Sequence, residues 1–355
     1  VPKLESSKTH RVQKPEHIRK EEARARRRGA GLPELDELLA GIRSGDRVLL
    51  GRALTLVESQ KAEHQPLAQA LVEACLPQAG RSVRVGVSGA PGVGKSTFIE
   101  AFGSLLLEQG HRLCVLAIDP SSSLSKGSIL GDKTRMPTLA THPRAFVRPS
   151  PAGDTLGGVA RKTRESILLC EAAGFDLVVV ETVGVGQSET AVHNLVDFFL
   201  LLLQPGAGDE LQGIKRGIVE LADMLVVNKA DGERLEAARR TAAEYRRALH
   251  LFPPKPDGWT PPVRTCSALE RSGLDEIWQE ISGYLERARR EGHFEERRRR
   301  QAGHWFHATL QEELRRVFFR RPEIRQALQD LEAQVLEGRK SPFAAARELI
   351  QLFDR

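Results

Sequence analysis

The densest chemistry in this chain lies in nine consecutive residues, Gly89-Ala90-Pro91-Gly92-Val93-Gly94-Lys95-Ser96-Thr97. The pattern is G-x-x-x-x-G-K-S. It follows an alternating apolar segment (Val83, Val85, Val87) and opens a helix-like stretch (Phe98, Ile99, Phe102, Leu105, Leu106). Strand, glycine-rich loop and helix in that order form a phosphate cradle. Glycines let successive backbone N–H groups turn inward, and the helix N-terminus adds the positive end of its dipole. Lys95 is then within reach of the β- and γ-phosphates, and the Ser96 hydroxyl is placed to ligate Mg²⁺. The cradle implies binding of a nucleoside triphosphate.

Two later segments select the base. Ala222-Asp223-Met224-Leu225-Val226-Val227 reads as a buried strand and runs into Asn228-Lys229-Ala230-Asp231. A carboxylate beyond a strand end accepts two hydrogen bonds from guanine N1–H and N2–H₂. Adenine offers no such donor pair, so Asp231 selects guanine through charge-assisted bonds. Asn228 and Lys229 brace the loop and cover the base. Val263-Arg264-Thr265-Cys266-Ser267-Ala268-Leu269 is another strand entering a turn, and its Ser267–Ala268–Leu269 backbone is placed to bind guanine O6.

Acids at strand ends supply the metal chemistry. Leu177-Val178-Val179-Val180-Glu181-Thr182-Val183-Gly184 is an apolar strand ending in Glu181 and then E-x-x-G. Glu181 sits near Mg²⁺, directly or through water, and the Gly184 N–H can bind the γ-phosphate. Residues 184–189 therefore read as a γ-phosphate sensor. A second apolar strand ends in Asp119 and enters a Ser/Gly-rich loop containing Asp132. Asp119 and Asp132 are candidate Mg²⁺ ligands. Together with Lys95, the residues Glu181, Gly184 and Asp132 form the candidate catalytic set. Lys133, Arg135, Arg148 and Arg161 lie in this half; a positive group near the γ-phosphate can act as an arginine finger, from this set or from a partner, and most of the four are expected to be solvated surface charges.

The segments G-A-P-G-V-G-K-S-T, I-D-P-S-S-S, G-D-K-T-R-M, E-T-V-G-V-G-Q-S-E and G-D-E-L-Q-G-I-K-R-G-I together resemble the metallochaperone branch of the P-loop GTPases. Within it they resemble the MeaB/ArgK (MMAA-like) type, over roughly residues 40–350. The resemblance implies a GTPase that serves as chaperone to an adenosylcobalamin-dependent acyl-CoA mutase, usually methylmalonyl-CoA mutase. It implies gating of cofactor loading and protection or reactivation of the mutase. GTP/GDP and Mg²⁺ are the implied cofactors, and no directly bound cobalamin is expected. The adenosyltransferase that loads the mutase is a further implied partner. The segment from Gln204 to Lys215, with Asp209 and Glu210, is implied to be an additional switch that relays nucleotide state to the mutase. Three rivals remain: a nickel-insertion GTPase, which needs Cys/His ligands near the loop; a GTP-dependent kinase, which needs an acceptor site and a base; and a guanine-nucleotide binding module without turnover.

Length and composition set the frame. The chain has 355 residues, 40% of them hydrophobic, and a net charge of +6. That supports a large core, and no apolar run reaches the ~20 residues of a membrane span. The basic excess carries forty Arg against thirteen Lys without aromatic–basic interleaving, so no nucleic-acid partner is expected. The four cysteines, Cys75, Cys114, Cys170 and Cys266, are scattered, which points to neither a zinc site nor a disulfide frame and suits a reducing compartment. That compartment is the cytoplasm in a bacterium and the mitochondrial matrix in a eukaryote.

The expected fold is α/β: a doubly wound, mostly parallel sheet of the P-loop NTPase kind with helical N- and C-terminal extensions. Residues 1–30 read as a flexible basic arm, 31–81 as a helical extension, 82–284 as the GTPase domain and 285–355 as a helical region. The resemblance makes this last region the homodimer interface. Two apolar stripes are read there, Trp305, Leu310, Leu314, Phe318, and Ile324, Leu328, Leu331, Val335, which should pack on the GTPase domain or on a second copy, the second copy being favoured. The run Arg297–Arg300 reads as a solvated helix face, and His304 and His307 as surface or packing residues.

Overall fold

The computed structural model describes residues 33–119, 136–151, 156–182, 188–206 and 216–353. Among them are seven strands: β1 (Val83–Gly89), β2 (Leu113–Asp119), β3 (Ala145–Pro151), β4 (Leu177–Thr182), β5 (Phe198–Leu203), β6 (Met224–Val227) and β7 (Val263–Thr265). They form one sheet in the order β3-β2-β4-β1-β5-β6-β7, and every pairing is parallel. Parallel sheets are covered on both faces, so their strands are continuous apolar runs. Every residue of β4, β5 and β6 is accordingly buried.

The two-residue period of a strand divides these runs between two cores. Val178, Val180, Phe199, Leu201 and Leu203 enter one. Leu177, Val179, Phe198, Leu200 and Leu202 enter the other. The helices follow in chain order as α1 (Leu35–Ser44), α2 (Arg47–Glu58), α3 (Gln65–Cys75), α4 (Lys95–Glu108), α5 (Pro137–Thr141), α6 (Leu156–Ala172), α7 (Ser188–His193), α8 (Arg216–Leu221), α9 (Leu235–Leu249), α10 (Leu274–Arg290), α11 (His293–Arg320), α12 (Pro322–Leu336) and α13 (Pro342–Phe353). Helices α1, α2, α3, α6 and α9 contribute to the first core. The N-terminal helices thus pack on the nucleotide-binding unit; Asp46 caps α2 by accepting from the Val48 and Leu49 amides. Helices α4 and α10 cover the other face, with Phe98 stacked on Phe102.

Helix α10 runs through residue 284 without a break, because its buried positions Leu274, Ile277, Ile281, Tyr284, Leu285 and Ala288 keep one face apolar to its last turn. Gly292, at φ 79°, makes the turn into α11.

The C-terminal helices correct two expectations. Trp305 is buried, but Leu310 and Leu314 are exposed. At 100° per residue, Trp305 and Leu310 point about 140° apart. The buried face of α11 is Gln301, Trp305 and the partly buried Ala308. Phe306, Leu310, Leu314 and Val317 instead make an exposed apolar stripe. The second stripe is one inward face, but it packs on α13: Ile324 and Leu331 are buried against Ala345 and Leu349, with Leu328 and Val335 beside them. The arginine run is split. Arg299 and Arg300 are solvated, but Arg297 and Arg298 are largely covered and bind Asp223 and Asp197 at the N-terminal edge of the sheet. Neighbouring helical residues face different ways, so one run serves both solvent and sheet. The four cysteines are buried free thiols. No described helix is long and apolar enough to cross a membrane.

Candidate nucleotide-binding site

The phosphate loop lies at the C-terminal end of the central strand β1, where open α/β sheets bind ligands. Gly94 opens α4 at φ 94°, and a Cβ there would meet Asn228 Nδ2 at 2.8 Å. The position therefore demands glycine twice over, for its dihedral and for the approach of the guanine-side loop. Lys95 is buried and donates from Nζ to the carbonyls of Gly89 at 2.7 Å and Ala90 at 3.2 Å. Its ammonium is thus folded over the loop that a phosphate would enter.

Ser96 and Glu181, eighty-five residues apart in sequence, meet directly. The Ser96 hydroxyl donates to Glu181 Oε1 at 3.2 Å. Strand β1, which leads into the loop before Ser96, lies beside β4, with Val87 opposite Glu181. Glu181 is 3% exposed. A hydroxyl and a carboxylate converging beside a phosphate loop are hard oxygen donors, and their chemistry fits a divalent cation such as Mg²⁺. Thr182 continues this contact line by donating to Ser88 Oγ at 2.9 Å.

The guanine end is built from the loops after β6 and β7. Asn228 is buried and holds three segments together. Its Nδ2 donates to Val93 O at 3.0 Å, and its Oδ1 accepts the Ala268 amide at 3.2 Å and the Cys266 thiol at 3.5 Å. Burial, helped by the charge of Asp231, pushes the Cys266 thiol up to about 12, so it stays a neutral donor. Lys229 adopts φ 60°, a left-handed conformation rare outside glycine, and its Nζ reaches Gly92 O at 2.6 Å. Such local strain is characteristic of functional loops. Asp231 Oδ2 accepts the Ser267 hydroxyl at 2.6 Å, and Ser267 Oγ in turn accepts the Glu270 amide at 3.1 Å. That chain fixes the plane of the carboxylate. Leu269 is 80% exposed beside it.

The structure therefore brings together Lys95, Ser96 and Glu181 at one end and Asn228, Lys229, Asp231, Ser267 and Ala268 at the other, with the Gly89–Thr97 loop between. Gln204, at the end of β5, donates to Pro91 O at 3.4 Å, so the segment it begins touches the phosphate loop. Asp119 ends β2, but its side chain lies outside the described part of the structure. Asp132, Gly184, Asp209, Glu210 and Lys215, with Lys133 and Arg135, also lie outside the described residues. Of the arginine-finger candidates, Arg148 is engaged with Glu58 and Thr55, and Arg161 with Glu165 and Glu313. Among the described residues, no group of three His, Cys, Asp or Glu stands close enough to hold a metal ion. Sequence reasoning missed Ser88 and the thiol of Cys266. Both are single residues in buried strand ends, and only the strand register reveals their partners.

A parallel seven-stranded sheet with a phosphate loop at its central strand and an N-K-x-D loop two strands away defines a P-loop nucleoside triphosphatase. Comparison with known proteins is more specific. The family model described as methylmalonyl-CoA mutase-associated GTPase MeaB matches residues 50–323. The chain is 44% identical over 315 residues to the GTPase ArgK of Escherichia coli, covering 89% of this chain and 95% of that protein. It is 46% identical over 329 residues to the mitochondrial methylmalonic aciduria type A homolog of Mus musculus, covering 90% of this chain and 79% of that protein. The crystal structure of LAO/AO transport system kinase matches with a TM-score of 0.72 and 38% identity, covering 90% of this chain and 98% of that one. The chain belongs to the MeaB family of methylmalonyl-CoA mutase-associated GTPases and is a GTPase that binds guanine nucleotides.

Proposed function

We propose that this GTPase acts as a nucleotide-driven chaperone for an adenosylcobalamin-dependent acyl-CoA mutase, with methylmalonyl-CoA mutase the first candidate client. The carrying observation is the match of the family model across residues 50–323, which includes both ends of the site. In this reading the Gly89–Thr97 loop and Lys95 hold the phosphates, and Asp231 with the Ser267–Leu269 turn reads guanine. Ser96, Glu181, Asp119 and Asp132 are the Mg²⁺ ligand set, and Gly184 is the γ-phosphate sensor. Mg²⁺ would neutralise charge on the transferring phosphoryl group, while Lys95 stabilises its oxygens and water is the nucleophile.

Gln204, Asp209, Glu210 and Lys215 form the segment that relays nucleotide state to the mutase. The contact of Gln204 with Pro91 supports that role, because a phosphate-dependent shift of the loop reaches the start of the segment. We place homodimerisation on the C-terminal helices, in keeping with the exposed stripe of Phe306, Leu310, Leu314 and Val317. The adenosyltransferase that loads the mutase is a second proposed partner, and the compartment is the one that holds the mutase, bacterial cytoplasm or mitochondrial matrix.

The test is phosphate release from GTP and from ATP, each with and without adenosylcobalamin-dependent mutases. The expected result is GTP-specific turnover that rises with one mutase. GTP turnover that ignores every mutase would overturn the chaperone reading, and transfer of label to protein would favour a kinase instead.

A further inference from the structure

Helix α11 grips one short stretch of the nucleotide-binding unit with three successive turns. Trp305 Nε1 donates to Asn194 O at 2.8 Å. Gln301 Nε2 donates to Val196 O at 2.8 Å. Arg298 closes on both carboxylate oxygens of Asp197, at 2.8 and 2.7 Å. Positions 298, 301 and 305 lie on one helix face. Trp305 is 4% exposed, Gln301 8% and Asp197 1%. Asp197 is also tied to β1, accepting the Arg84 amide at 2.8 Å. The adjacent Arg297 reaches Asp223 at 3.0 Å, which anchors the same turn to the start of β6.

The stretch held this way, residues 194–197, joins α7 to β5. Helix α7 follows the segment after Glu181, and β5 ends at Leu203, followed by Gln204 beside the phosphate loop. A helix of six residues has no stability of its own, so its position is set by its flanks and by its packing, with Val192 buried in the core. One flank is the end of β4, where Glu181 meets Ser96. The other is fixed by α11. The carbonyls of Asn194 and Val196 lie just beyond the end of α7, and side chains of α11 satisfy them.

We infer that α11 is coupled to the stretch beyond α7 and responds with it to nucleotide state, and that Gln301 and Trp305 are positioning residues for GTP turnover. The C-terminal arm then senses and tunes the nucleotide site from the opposite edge of the sheet. This inference rests on the assignment of Glu181 and the segment after it to the metal and γ-phosphate.

The test begins with the full-length wild-type protein. Amide hydrogen exchange is compared with GDP and with a non-hydrolysable GTP analogue bound. Exchange in residues 188–197 and in residues 298–305 should change together between the two states. The variants Gln301→Leu and Trp305→Phe remove one donor each; the first nearly keeps the side-chain volume, and the second keeps an aromatic ring but loses part of the indole's bulk. Each should change kcat for GTP by about fivefold, the effect of one hydrogen bond, with KM within about twofold of wild type. If residues 298–305 exchange identically with both nucleotides, or if both variants lose thermal stability while kcat is unchanged, α11 is only a structural prop and the inference is overturned. Failure of the wild-type protein to bind GTP would remove the site assignment and the inference with it.

Discussion

Replacing Asp231 with Asn tests the guanine site with the smallest available change. The side chain keeps its shape, and one oxygen remains to accept the Ser267 hydroxyl now bonded at 2.6 Å, so the fold should hold. What is lost is the negative charge and one acceptor facing the base. In the proposed site guanine N1–H and N2–H₂ would both donate to the carboxylate, and charge-assisted bonds contribute about 1.5–3 kcal/mol each. The Asn amide keeps one acceptor and turns its NH₂ toward a donor. The expected loss is about 3–4 kcal/mol, or roughly 100- to 1000-fold in GTP affinity. Xanthine carries a carbonyl where guanine has the amino group, so the same amide should gain affinity for xanthosine triphosphate. Competition of GTP, ATP and xanthosine triphosphate against a fluorescent guanine nucleotide reads all three affinities, and a melting curve confirms the fold. GTP affinity within about threefold of wild type, with an unchanged preference over ATP, would refute the assignment of Asp231 to the base.

Two further outcomes are expected. Lys95→Ala should lower kcat/KM for GTP by at least about 100-fold, because the ammonium now resting on Gly89 O and Ala90 O is the charge that meets the phosphates; near-normal turnover would sink that role. His193, at the end of α7, is held at about 4 by burial first and by the Arg297 charge second, partly opposed by Asp223. Its unfolded value is about 6.5, so the folded protein binds fewer protons between those limits. The stability it confers is full above about pH 6.5 and is lost as the pH falls toward 4, by up to about 3 kcal/mol. Urea midpoints across that window should fall for the wild type and flatten for His193→Asn; an unchanged slope in the variant would refute the assignment.

The elements that position the site could be read from the chain because each depends on a local pattern. Apolar runs such as Phe198–Leu203 are buried strands, and the loops that follow several of them carry the candidate site residues. The Gly89–Thr97 loop and the Asn228–Asp231 loop announce themselves by residue type and spacing. The C-terminal helices were harder. Their existence is legible, but apolar spacing puts Trp305, Leu310 and Leu314 on one stripe, whereas Trp305 is buried and the two leucines face outward. The Arg297–Arg300 run looked uniform because a run of one residue type carries no information about which members meet a buried acid.

The sequence by itself determined the nucleotide cradle, the guanine-reading loop and the alternating strands and helices that carry them, since turn chemistry and periodicity are encoded within a few residues. Only the tertiary structure decided that Ser96 meets Glu181, that Asn228 joins three loops and that α11 grips the stretch beyond α7. Each of those contacts joins residues dozens to more than a hundred positions apart. Strand order, register and the rotation of a helix about its axis fix such pairs, and these are properties of the packed core as a whole rather than of any short segment.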